Sequence, residues 1–108
     1  MDRTDILPGT LQLLILKTLA RAPAHGYAIA QHIKRSSDDA LQVEEGSLYP
    51  ALQRILRSGW ATAEWVPREG KRRARVYRLT PAGRQRLAEE MTSFTRTMQA
   101  IVRVIEPA

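Results

Sequence analysis

The sequence contains no cysteine in its 108 residues, which removes disulfides, thiol nucleophiles and thiolate metal sites together. That usage fits a reducing compartment. Histidine is nearly as scarce. His25 and His32 are the only two, and a zinc site would need a carboxylate set beside them that the spacing does not supply. His25 reads instead as a helix-start residue within reach of a phosphate. A phosphate-binding loop, a GxSxG turn and a cluster of His, Asp and Glu at shared spacing are all missing, so no enzyme class, metal or cofactor is indicated. The acidic pair Glu44-Glu45 stands before a helix, where carboxylates favour the positive end. The longest apolar run, LQLLIL, is far too short to span a bilayer. The opening residues, MDRTDILPGT, lack the basic stretch and apolar run of a secretory signal. A cytoplasmic protein without a membrane partner is the expectation.

Negative charge is also in short supply. Seventeen Lys and Arg stand against eleven Asp and Glu, a net charge of +6. Such a balance favours anionic partners, of which nucleic acid and anionic membrane are the usual ones. The excess is not spread evenly. Between Trp60 and Arg86 lie Arg68, Lys71, Arg72, Arg73, Arg75, Arg78, Arg84 and Arg86, opposed only by Glu64 and Glu69. That one stretch carries the whole surplus.

What is present is helical periodicity interrupted by one hairpin. After Pro8-Gly9, Thr10 can cap a helix to Arg21, with Leu11, Leu14, Ile15 and Leu19 on one face. Leu13 and Leu16 widen that stripe, which predicts cover on two sides, from its own domain and from a second subunit. Pro23 ends the helix. A second helix spans about His25 to Ser36, with Tyr27, Ile29, Ala30 and Ile33 as its apolar stripe. Ser36 to Asp39 make a polar turn, and Leu41 and Val43 an extended stretch. The third helix opens at Gly46 with Ser47 as cap and Pro50 in its first turn. Leu48, Leu52, Ile55 and Leu56 face inward, Gly59 closes its C-terminus, and Tyr49, Gln53, Arg54 and Arg57 face outward. WATAEWV and ARVYRL then flank PREGKRR as a hairpin with a basic tip, with Trp60, Trp65 and Tyr77 as core anchors. Thr80 and Pro81 start a last helix that runs to about Ile105.

Three helices, a two-stranded wing and a long helix give a mainly α fold with a small β-hairpin, in the order of a winged helix-turn-helix. Residues 1–80 would form the DNA-binding domain, and 81–108 a C-terminal dimerisation helix in the same compact unit. On the third helix Ser47, Tyr49, Gln53 and Arg54 offer hydroxyls, an amide and a guanidinium to base edges in a major groove. The wing can reach phosphates or a minor groove. In the tail, Leu87, Met91, Phe94, Met98, Ile101 and Ile105 recur at alternating four- and three-residue steps, a heptad seam for a partner helix. Leu11 and Leu14 of the first helix can pack on the partner's tail. A homodimer would match a palindromic duplex site. The competing expectation is a winged-helix protein-interaction module that reads no DNA; it does not call for the concentrated basic charge of the wing.

Four segments, LPGTLQLLILKTL at 7–19, HGYAIAQHI at 25–33, VEEGSLYPALQRI at 43–55 and RRARVYRLTPAGRQRL at 72–87, resemble the PadR family of transcriptional regulators, in its compact branch with a single-helix tail. The resemblance implies a dimeric regulator, a repressor, with the wing and third helix on DNA. Carried over by position, His25, Tyr27, Ser47, Tyr49, Pro50, Lys71, Arg72 and Arg73 face DNA, with Arg75 beside them. The founding members respond to phenolic acids, and others resemble sensors that hold flat aromatic compounds at the dimer centre. An aromatic small-molecule effector is therefore implied, with Phe94 as the tail's stacking ring and no tryptophan beside it.

Overall fold

The structure is a computed structural model that describes residues 6, 9–68, 70 and 73–106. Helix α1 (Leu11–Arg21), strand β1 (Ala24–His25), helices α2 (Gly26–Ser36) and α3 (Glu45–Arg57), strands β2 (Ala61–Pro67) and β3 (Arg73–Leu79), and helix α4 (Pro81–Ile105) follow in that order. Its core gathers Ile15, Leu16 and Leu19 of α1, Ile29 and Ile33 of α2, and Leu48, Ala51, Leu52 and Ile55 of α3. Ile15, Leu19, Ile29, Ile33, Leu48, Leu52 and Ile55 are on the inward stripes expected from the 3.6-residue period, whereas Leu16 and Ala51 are buried beyond them and Leu11, Leu14 and Leu56 are only partly buried. Ala61, Tyr77 and Leu87 close the cluster from the sheet and α4. Leu41 and Val43 pack against its edge, as the extended reading between α2 and α3 requires.

The boundaries follow from local chemistry. α3 ends in a Schellman arrangement. The Trp60 N–H donates to the Ile55 carbonyl at 3.1 Å and the Gly59 N–H to that of Leu56 at 3.0 Å, with Gly59 at φ 77. Thr80 caps α4, accepting from the Gly83 N–H at 3.0 Å, while its hydroxyl donates to the Gly59 carbonyl at 2.7 Å. One side chain thus ties the end of α3 to the start of α4. Pro81 opens α4, where a missing amide hydrogen has no helical partner to lose.

Four local expectations need correction. α2 begins at Gly26, because His25 is its cap: the imidazole Nδ1 accepts from the Ala28 N–H at 3.3 Å. Ala24 and His25 form a third strand, antiparallel to β3 with Ala24 opposite Tyr77 and His25 opposite Val76, so the sheet order is β1-β3-β2. Two residues with no β-branching carry no strand signal; the pairing partner supplies it. α3 starts at Glu45, with Glu44 at the cap position and Ser47 already inside the first turn. Pro50 consequently lies a turn deeper than expected, where its missing N–H leaves the Gly46 carbonyl without an intrahelical donor. Lastly, Tyr27 and Trp65 are not core residues: they are 71% and 59% exposed.

α4 divides in two. Its start is docked: Gly83 and Leu87 are buried, and the Glu90 carboxylate accepts from Gln12 of α1 and from Arg86 Nε at 2.7 Å. The Arg86 guanidinium also lies 4.8 Å from the centre of the Trp60 ring. Leu87, the first position of the heptad seam, is therefore enclosed in its own protomer. Beyond it Met91, Phe94, Ile101 and Ile105 are exposed and Met98 is half-buried. No helix among the described residues is long and apolar enough to cross a membrane.

Candidate nucleic-acid interface

The hairpin builds the site by alternation. Opposite each other on the register stand Ala61 and Leu79, Ala63 and Tyr77, Trp65 and Arg75, Pro67 and Arg73. Each pair shares one face of the sheet, and that face turns toward the helices. Near the base it enters the core, since Ala61 and Tyr77 are buried. Two residues further the core has ended and the strands continue. The same inward face then presents Trp65, Arg75 and Arg73 to an open groove of about 320 Å³. Across it lie His25, Gly26 and Tyr27 of the α2 start and Tyr49 of α3, with Arg68 at the wing's outer end. A Cβ on Gly26 would lie 3.6 Å from a Leu48 methyl, so α2 and α3 pack closely at the groove floor.

Within the groove the rings and cations are arranged in pairs. The Arg75 guanidinium lies 6.0 Å from the Trp65 ring centre and 5.9 Å from that of Tyr77, near the outer limit of cation–π attraction. His25 and Tyr27 stack with centroids 6.4 Å apart and planes 14° from parallel. Burial pushes the Tyr77 phenol above its ordinary value of 10.0, against the opposing pull of Arg75, so it is a neutral hydroxyl at working pH.

Of the residues read from the sequence, His25, Tyr27, Tyr49, Arg73 and Arg75 come together on this groove. Ser47, Pro50 and Arg54 lie on the neighbouring flank of α3, facing a second depression lined also by Leu11, Gln42 and Val43. Gln53 is exposed on the same helix. Lys71 and Arg72 lie outside the described residues. Sequence reasoning missed Trp65 and the reach of Arg68. The signal for Trp65 was available, since it shares parity with Ala61 and Ala63, but parity does not say where the core stops. The tail residues Met91, Phe94, Met98, Ile101 and Ile105 lie on the free length of α4, and Leu11 and Leu14 of α1 are partly buried.

Comparison with known proteins fits this architecture. The chain is 38% identical over 82 residues to the transcriptional regulator Rv3488 of Mycobacterium tuberculosis, covering 76% of this chain and 73% of that one. The solved structure of a PadR family transcriptional regulator from Eggerthella lenta superposes with a TM-score of 0.78 at 28% identity, over 93% of this chain and 85% of the other. A transcriptional regulator from Clostridium thermocellum shares the fold, with a TM-score of 0.84 at 23% identity over 91% and 95% of the two chains. The sequence pattern of the PadR-like family of transcriptional regulators matches residues 15–89, from the buried half of α1 through the docked start of α4. With the winged-helix fold and that match in hand, the chain belongs to the PadR-like family of transcriptional regulators.

Proposed function

We propose that this regulator binds duplex DNA as a homodimer, with α3 in the major groove and the β2–β3 wing on the backbone beside it, and that it acts as a repressor. The observation that carries this reading is the groove. It brings the α2 start, the exposed Tyr49 of α3 and three wing arginines to one side of the molecule. A helix of this size fits a major groove, and cations flanking it position the helix on phosphates. Arg54 and Gln53, exposed on α3, are suited to guanine and adenine edges respectively.

Pairing is supported by α4. Met91, Phe94, Ile101, Val102 and Ile105 are exposed apolar groups along one helix whose last hydrogen bond to α1, among the described residues, is at Glu90. A second copy related by a two-fold axis would cover them and would set two reading helices against two half-sites. Residues 1–80 then serve as the reading head and residues 81–108 as the joining element. The same face supports an aromatic effector. Phe94, Met98 and Val102 line an open depression with Thr95, Gln99 and Arg103, and a flat ring there would be enclosed only by the second copy.

Fluorescence anisotropy on a labelled duplex from the chain's own upstream region tests the reading. With six to ten phosphates contacted, affinity should fall by about a thousandfold or more between 50 and 200 mM salt. Binding that ignores salt, or no binding, would favour a protein-interaction module instead.

A further inference from the structure

We propose that Trp65 is a nucleic-acid contact, its indole packing on a deoxyribose of the backbone strand whose phosphates meet Arg68, Arg73 and Arg75. The inference rests on the DNA-binding reading above and deepens it. Among the described residues Trp65 takes no part in the hydrophobic core. Tyr77 and Ala63 already close the core beneath it, and the indole is 59% exposed on the face of the wing that looks into the groove. A large ring left in water on the inner face of an arginine-bearing strand is apolar area waiting for a ligand.

The chemistry of that ligand follows from the neighbours. The Arg75 guanidinium lies about 6 Å from both the Trp65 and Tyr77 ring centres, Arg73 stands one pleat further out, and Arg68 lies at the groove's end. Among the described residues none of the three arginines has an acidic partner. One exposed ring, Trp65, thus stands level with Arg75, with Arg73 and Arg68 beyond it toward the tip. A nucleic-acid backbone offers a partner to both, an apolar sugar flanked by anionic phosphates. An acidic peptide would satisfy the cations but leave the indole uncovered. An unpaired base would cover the indole, yet the groove walls are two separated elements, the α2 start and the wing, rather than paired rings closing on one plane.

The experiment uses the full chain, the labelled duplex and one of its single strands. W65A should weaken duplex binding about tenfold at every salt concentration, a loss in the range of a large apolar side chain stripped from a contact, leaving the salt line parallel to that of the wild type. R73A should instead lower the salt slope by about one. Wild-type tryptophan emission should fall on adding duplex, and W65F, which keeps only Trp60, should not show that fall. W65A that binds as tightly as the wild type, or a wild-type emission unchanged at saturating duplex, overturns the proposal while leaving DNA binding intact. Quenching of Trp65 by the single strand at equal or lower concentration than by the duplex overturns the sugar assignment in favour of an unpaired base. A wild-type chain that does not bind duplex removes the function and this inference together. Should W65A unfold, the emission comparison with W65F decides alone.

Discussion

Replacing Gly83 by Ala should destabilise this protein, although helix propensity alone predicts the reverse. Gly83 sits in the first turn of α4, and Gly→Ala in a helix ordinarily gains about 1 kcal/mol. Here a Cβ would stand 2.0 Å from the Trp60 carbonyl oxygen and 2.7 Å from a Leu79 methyl. Carbon and carbonyl oxygen approach no closer than about 3.3 Å in ordinary contacts, so α4 and the start of β2 must separate by about 1 Å. That separation falls on the Thr80 links: its N–H to the Trp60 carbonyl at 3.0 Å, its hydroxyl to the Gly59 carbonyl at 2.7 Å, and the cap bond from Gly83 at 3.0 Å. Overpacking costs about 1–3 kcal/mol and a lost cap about 1 kcal/mol. Set against the propensity gain, the net loss is about 1–3 kcal/mol. For a domain of this size each kcal/mol moves the melting temperature by about 4–8 °C, so a drop of about 5–20 °C is expected by circular dichroism at matched protein concentration. A G83A variant that melts at or above the wild-type temperature would refute the close approach between α4 and Trp60.

Three further outcomes are expected. Changing Met91 and Met98 together to Lys should leave helix content unchanged and yield monomers by sedimentation, because both lie on the free length of α4; a persistent dimer would move the interface elsewhere. Y49A should weaken duplex binding at least tenfold while melting within a few degrees of wild type, since Tyr49 is 61% exposed; unchanged affinity would remove Tyr49 from the interface. His32 is held below its ordinary value of 6.5 by burial first, then by Arg21 and Arg35. The unfolded chain therefore takes this proton more readily than the fold, so stability is unaffected by His32 above pH 6.5 and declines as pH falls below it. H32Q should flatten that decline in urea titrations at successive pH values, and an identical pH profile would contradict the assignment.

The sequence made the helices legible because each buries one stripe, and α4 could be bounded to the residue because Thr80-Pro81 and Glu106-Pro107 are strong punctuation. It was less informative wherever tertiary contact decides. Ala24 and His25 become a strand only because β3 passes beside them. Tyr27 follows the apolar period of α2 and is still 71% exposed, because it lines the open groove rather than the core. Leu87 and Met91 look equivalent in a heptad pattern. The docking of α4 on α1 through Glu90 and Gln12 encloses the first and leaves the second bare. Trp65 is the same case on the wing: period fixes which side a residue faces, and only the extent of the core fixes what it meets there.

The distribution of ion pairs separates a binding wing from a merely soluble one. Among the described residues of this wing the outer face pairs its charge: Arg78 reaches Glu64 at 3.7 Å, both well exposed. Arg86, beyond the wing, is matched by Glu89 and Glu90 on α4. The arginines that remain without an acidic partner among the described residues of the hairpin, Arg68, Arg73 and Arg75, are the ones that line the groove facing Tyr49 and the α2 start. Like charges held together on one concave side raise the local potential and repel one another. Pairing the described outer arginine while leaving those on the inner face unpaired makes sense if an anion occupies the groove. A polyanion that also accepts a helix alongside the wing, such as duplex DNA, meets both requirements at once.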